Sequence, residues 1–218
     1  MKYISIIIAG LLMNSAPLSA LNIVTIEQQE YQHVLKTKAQ PVKFPLNQTD
    51  KQLIAAMKTK LYQLGGIGLA APQVNQAKQI IVLYIPEEAA LLRENVIPYP
   101  MHVMLNPTYE AVVDTKVQYD FEGCYSVSSK SGKVPRFNQI KLQYYDESGQ
   151  YYQTIEQGFY ARSLQHEIDH INGILIIDRL TPNCIQGTVQ EMMALRRAEL
   201  PEEKRVLFDA VMKKKLKK

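Results

Sequence analysis

Apolar residues recur at helical spacing after Thr49: Leu53, Ile54, Met57, Leu61 and Leu64 share one face. Thr49 with Gln52 three residues later has capping-box spacing, and Gly65-Gly66 supplies the stop. The pattern then changes. Gln79–Ile85, Met101–Leu105 and Val112–Tyr119 are short runs that read as strands. Ile140–Tyr145 and Tyr151–Ile155 flank Asp146-Glu147-Ser148-Gly149, a hairpin signal. From Phe159 to Ile171 neither Gly nor Pro interrupts, so a helix is expected there, ended by Gly173. Another strand-like run covers Ile174–Ile177, and two last helices are predicted near Ile185–Leu195 and Glu202–Leu216. Strands grouped between helices, without regular βαβ alternation, predict an α+β fold of mostly antiparallel strands around a central helix, with a C-terminal helix.

Composition narrows the class. The chain has 218 residues, 46% hydrophobic and 21% charged, which suits one folded domain with its own core. Its net charge of +4 is local, because residues 196–218 alone carry nine Lys/Arg against four Asp/Glu. A basic excess confined to a tail does not describe a DNA-binding protein. Met1-Lys2, the apolar run Ile4–Met13 and the segment to Ala20 have the form of a secretory signal, although Leu18 is large for a cleavage site. The run is too short for a transmembrane helix, so no stable membrane anchor is expected. The expected organisation is a signal or extension over residues 1–20, a main folded domain over 21–195 and a basic helix over 196–218.

The chemistry is concentrated in His166-Glu167-Ile168-Asp169-His170, inside the predicted central helix. Four residues are little more than one turn, so both imidazoles project from one face and can grip a single cation. Glu167 stands beside them to handle the proton of a bound water. A third ligand is required. A third His in the downstream metzincin position is missing, since Gly173 fits that pattern but position 176 is Ile. Cys124 and Cys184 are the two cysteines, too few for a disulfide framework. Cys184 reads as a small buried hydrophobe.

Three blocks resemble peptide deformylases in order and spacing: Gly66-Ile67-Gly68-Leu69-Ala70-Ala71-Pro72-Gln73, Glu122-Gly123-Cys124-Tyr125-Ser126 and Gln165-His166-Glu167-Ile168-Asp169-His170. Val134-Pro135-Arg136 lies between the second and third, as in that family, and the pattern is nearer its type 1 or mitochondrial form. The resemblance spans roughly residues 22 to 182. It implies that Cys124 is the third ligand beside His166 and His170, and that the native metal is Fe(II), with zinc, nickel or cobalt able to replace it. It further implies hydrolysis of the formyl group from N-formylmethionyl peptides. Glu167 would be the general acid/base, with the Gln73 amide and the Tyr125 backbone N–H as oxyanion donors. Gly66, Ile67 and Gly68 would bind the peptide, the glycines letting it approach the backbone as an added strand.

One residue departs from the pattern. The family usually has Leu, or Glu in mitochondrial-type members, where this chain has Tyr125. Its ring is expected along the substrate groove. Arg136 and Asp169 are expected to form a buried ion pair near the metal helix, with Glu122 as a third member. Leu207, Phe208, Val211, Met212 and Leu216 make an apolar stripe on the last helix, beside Lys213-Lys214-Lys215 and Lys217-Lys218. That helix is expected to dock on the body, or to contact ribosomal RNA as basic C-terminal helices of similar deformylases do. Ribosome contact implies a cytoplasmic enzyme, whereas the N-terminal segment implies export. Two rivals are an exported hydrolase of other N-acyl peptides and a non-catalytic formyl-peptide-binding homologue. Glu167 and Gln73 argue against the second.

Overall fold

A computed structural model describes residues 21–93 and 96–216. The signal-like segment 1–20 therefore lies outside the described residues, as do Lys217 and Lys218. After a short helix α1 (Gln32–Lys36), the first long element is α2 (Gln48–Leu64). Its cap is not Thr49 but Asn47, whose side chain accepts from the Asp50 backbone N–H at 2.8 Å. Asn47 holds the extended backbone that a cap requires, whereas Thr49 is already helical. Gly65, at φ +63°, ends the helix in the left-handed conformation.

Five antiparallel strands form the main sheet, in the order β1-β2-β3-β6-β7. They are β1 (Gly68–Ala70), β2 (Ile80–Ile85), β3 (Tyr99–Ala111), β6 (Gln139–Tyr145) and β7 (Tyr151–Gln157). A short helix, α3 (Glu87–Leu91), follows β2. The second sheet contains β4 (Val117–Cys124), β5 (Val127–Phe137) and the two-residue β8 (Gln186–Gly187). Beyond the central helix α4 (Gly158–Ile171) come α5 (Ile176–Arg179), α6 (Val189–Glu199) and α7 (Glu202–Leu216). This is the expected α+β architecture.

β2 explains the layering. Ile80 and Val82 pack against Leu53, Ile54, Met57 and Leu61 of α2, while Ile81 and Leu83 pack against Leu164, Ile168 and Ile171 of α4. A strand with both faces covered must be apolar at every position, which accounts for its unbroken hydrophobic run. Each such side chain contributes roughly 1.5–3 kcal/mol by leaving water. The same burial fixes the position of α4 beneath the sheet.

Several sequence expectations need correction. The run Val112–Tyr119 is not one strand: β3 ends at Ala111, Asp114 turns the chain at φ +60°, and β4 starts at Val117. β5 was not predicted at all, because its Ser, Lys and Gly residues break the apolar alternation. Ile174–Ile177 is not a strand. Leu175 and Ile176 are buried against β5, and the chain coils there into α5. The helix expected over Ile185–Leu195 starts only at Val189, where Thr188 and Glu191 form a capping box. It runs without a break through positions 195 and 196, where the sequence suggests a domain boundary.

Candidate metal centre

α4 turns Ala161, Leu164, Ile168 and Ile171 toward the main sheet, leaving another face toward β4. His166 and His170 lie on that second face and meet two residues of β4. The His170 Nε2 is 3.3 Å from the Cys124 Sγ, and the His166 Nδ1 is 2.9 Å from Glu122 Oε2. The ligand atoms of Cys124, His166 and His170 all lie within 4.8 Å of one another. Cys124 ends β4, just before the tight connection to β5, and its sulfur accepts from the Ser126 N–H at 3.4 Å. The structure thus brings together the three residues expected to be ligands, two from one helix and one from a strand 42 residues earlier in the chain than the first histidine.

Glu167 and Gln73 border the same cavity. Glu167 is buried, and among the described residues its Oε2 has no hydrogen-bond partner. Burial pushes its carboxyl up to about 7; His166 opposes this and Glu122 adds to it. Gln73 accepts from the Ala70 N–H through Oε1 at 2.9 Å, which turns its amide nitrogen toward the Cys124 Sγ, 3.8 Å away. The glycines of the first block have a reason that the sequence did not disclose. A Cβ on Gly68 would collide with the Glu167 carboxylate, including a 2.6 Å approach to its Cδ, and one on Gly66 would lie 2.9 Å from the Tyr125 ring. Tyr125 lines the cavity and donates through its hydroxyl to the Leu64 carbonyl at 3.2 Å. Burial, then Glu167, raises that phenol to about 12, so it stays a donor.

Beneath the centre lies an ion-pair network larger than the sequence suggested. Arg136 binds Glu122 with two nitrogens, at 3.0 and 2.9 Å, and also donates to Asp169. Arg162 reaches Glu122 at 2.7 Å and the Val134 and Gln118 carbonyls, and Arg179 clamps Asp169 from α5. Burial acts to raise the Glu122 carboxyl, but the Arg136 charge and the hydrogen bond from His166 hold it well below the ordinary carboxylate range. Glu122 is therefore ionised and fixes the His166 ring, leaving Nε2 for the centre. Arg162 and Arg179 were missed. Arg162 had a signal: it precedes His166 by four residues and so shares its face.

Comparison with known proteins agrees with this geometry. The model of the family described as polypeptide deformylase matches residues 20–185. The chain belongs to the polypeptide deformylase family. Peptide deformylase 2 of Rickettsia conorii is 35% identical over 84% of this chain and 91% of its own. A peptide deformylase of Roseiflexus castenholzii is 34% identical over 73% and 88%. Among solved structures, the actinonin-bound class I type b peptide deformylase of Acinetobacter baumannii gives a TM-score of 0.62 at 32% identity, covering 74% of this chain and 99% of that one. The Thermotoga maritima peptide deformylase gives 0.59 at 32% identity, with 74% and 98% covered. Family membership makes the chain a metal-dependent hydrolase that removes the formyl group from the N-terminal methionine of new polypeptides.

Two variants probe this arrangement. Arg136→Leu leaves Glu122 and Asp169 buried without their shared partner, and stability measured by urea unfolding should fall by roughly 3–5 kcal/mol. A loss below about 1 kcal/mol would mean that Arg162 and Arg179 suffice. Gly68→Ala should displace the Glu167 carboxylate and lower kcat about 10²-fold while the melting temperature changes little. Unchanged kcat would show that Glu167 needs no fixed position.

Proposed function

We propose that Cys124, His166 and His170 hold one divalent metal ion and that Glu167, Gln73 and Tyr125 carry out deformylation around it. The supporting observation is the convergence of one sulfur and two imidazole nitrogens within 4.8 Å at a cavity wall. This donor set fits iron(II), zinc, nickel or cobalt, and three protein ligands leave a coordination position open. Iron(II) is the proposed native ion. When bound, the ion acts as a Lewis acid that makes a nearby water a competent nucleophile near neutral pH.

The protein groups then divide the remaining work. Glu167, with an unpartnered buried oxygen, accepts a proton from the attacking water and delivers it to the leaving amine. The Gln73 amide, fixed by its bond from Ala70, and the Tyr125 backbone N–H donate to the oxyanion that forms as the formyl carbon becomes tetrahedral. β1 is an edge strand, and its Gly66-Ile67-Gly68 approach borders the cavity, so a formyl peptide can add to it by backbone hydrogen bonds. The rings of Tyr125 and Tyr84 give that groove an aromatic wall.

The proposed setting is the cytoplasm, with the basic end of α7 turned to the ribosome. Exposed Lys213 supports this reading, while Leu207, Phe208, Val211 and Met212 of α7 line the cavity. Among the described residues no helix is long and apolar enough to cross a membrane. N-terminal sequencing of the native protein separates the two settings: a chain starting near Leu21 would favour export.

Anaerobically purified protein should carry one metal ion, predominantly iron, per chain, and Cys124→Ala should lose it, as read by elemental analysis. Full occupancy in that variant would remove Cys124 from the ligand set. Glu167→Gln should keep both metal and fold but lose roughly 10²–10⁴-fold or more in kcat on formyl-Met peptides. Near-native turnover would transfer proton handling to another group.

A further inference from the structure

The cavity at the metal centre, about 860 Å³, extends well past it. Its far wall is built from the segment after β2 and from α6 and α7, with Phe208 only 4% exposed beside Val211 and Met212. The family match ends at residue 185, before α6 and α7, which close this side of the groove. Two guanidinium groups line that wall, Arg93 and Arg196.

Their surroundings differ from those of four other arginines, while Arg205, outside the groove, donates to the Leu200 and Ala198 carbonyls. Arg136, Arg162, Arg179 and Arg197 are each paired with a carboxylate. Arg93 and Arg196 have no such partner among the described residues. Among the described residues the buried Arg93 Nε makes no hydrogen bond, while its Nη1 donates to the Ala89 carbonyl at 3.3 Å. Its guanidinium lies 3.9 Å over the centre of the Phe159 ring, which fixes its position. Burial first, and the like charge of Arg196 next, lower the Arg93 pKa to about 9. Asp120 opposes this for both arginines, but its carboxylate accepts from the Phe121 N–H at 2.7 Å. Glu88 also lines the cavity without pairing to either. Two positive charges held together in a groove with open donors form a site for an anion.

The spacing suggests which anion. Phe159, beneath Arg93, precedes His166 by seven residues on α4, or roughly 10 Å along the helix. An extended peptide covers that distance in roughly three residues. We propose that Arg93 and Arg196 form a carboxylate subsite of the peptide groove, selecting formyl peptides with a carboxylate about three residues beyond the formyl group. The carboxylate is either the free C-terminus of a short formyl peptide or an Asp or Glu side chain in a longer one. This rests on the deformylase centre described above.

Three substrates for the metal-loaded full chain test it: formyl-Met-Ala-Ser as the free acid, the same peptide as its C-terminal amide, and formyl-Met-Ala-Asp amide. The acid should exceed the Ser amide in kcat/KM by about tenfold, mainly through KM. A Ser acid favoured alone identifies the C-terminus as ligand; an Asp amide that matches it includes the side chain. In an Arg93→Gln, Arg196→Gln double variant the ratio of acid to Ser amide should approach one. Calorimetric binding of Met-Ala-Ser acid and amide to Glu167→Gln should show the same preference and requires no turnover. Equal kcat/KM for all three substrates, or a preference that survives in the double variant, overturns the subsite while leaving the centre intact. No turnover of any substrate would count against the centre itself, and equal binding of acid and amide would then overturn the subsite separately.

Discussion

Arg136 is the group on which the site depends. It comes from β5, binds Glu122 on β4 with two nitrogens and reaches Asp169 on α4, all of them buried. A guanidinium removed from water is tolerated only when its donors are used, and the carboxylates are tolerated only while it stays. The small sheet and the central helix are thereby locked in one register. Arg162 extends the lock to the Gln118 and Val134 carbonyls, and Arg179 extends it to α5. Hydrophobic burial brings α4 against the main sheet, but it would tolerate small shifts along the helix. The charge network does not, because a shift of an ångström or two would strand a buried ion.

That rigidity is what places the chemical groups. Glu122 serves two masters, accepting from Arg136 and from the His166 ring, so the structural lock and the ligand orientation are one arrangement. On the opposite side of the centre, the edge strand β1 contributes Gly68, whose missing side chain is filled by the Glu167 carboxylate. Gln73 is held by the backbone of Ala70, so its donor stays aimed without help from solvent. Preorganised donors of this kind cost little reorganisation when charge develops.

The groove beyond the centre is less rigidly tied. α3 and α7 face each other across it through apolar side chains, and the network of buried charges does not extend to them. Deformylation itself depends on the deep end, whereas the choice among peptides falls to the outer wall. Tyr125 stands between the two, with its ring on Gly66 and its hydroxyl on the Leu64 carbonyl.

The sequence by itself determined whatever repeats locally. The period of α2, the hairpin at Asp146–Gly149 and the pairing of His166 with His170 follow from spacings of a few residues, which backbone geometry converts directly into position. Three ordered blocks were enough to read the family. Tertiary structure decided what depends on residues distant along the chain. β5 carried no readable alternation because its pairing with β4, not its own pattern, keeps it extended. Ile174–Ile177 looks like a strand, but burial of Leu175 and Ile176 under β5 coils it instead. The Arg162 contacts, the reason for glycine at position 68 and the placing of Arg93 and Arg196 on one cavity wall all join segments dozens of residues apart. Such contacts leave no periodic trace, because only packing, and the need to neutralise what packing buries, sets them.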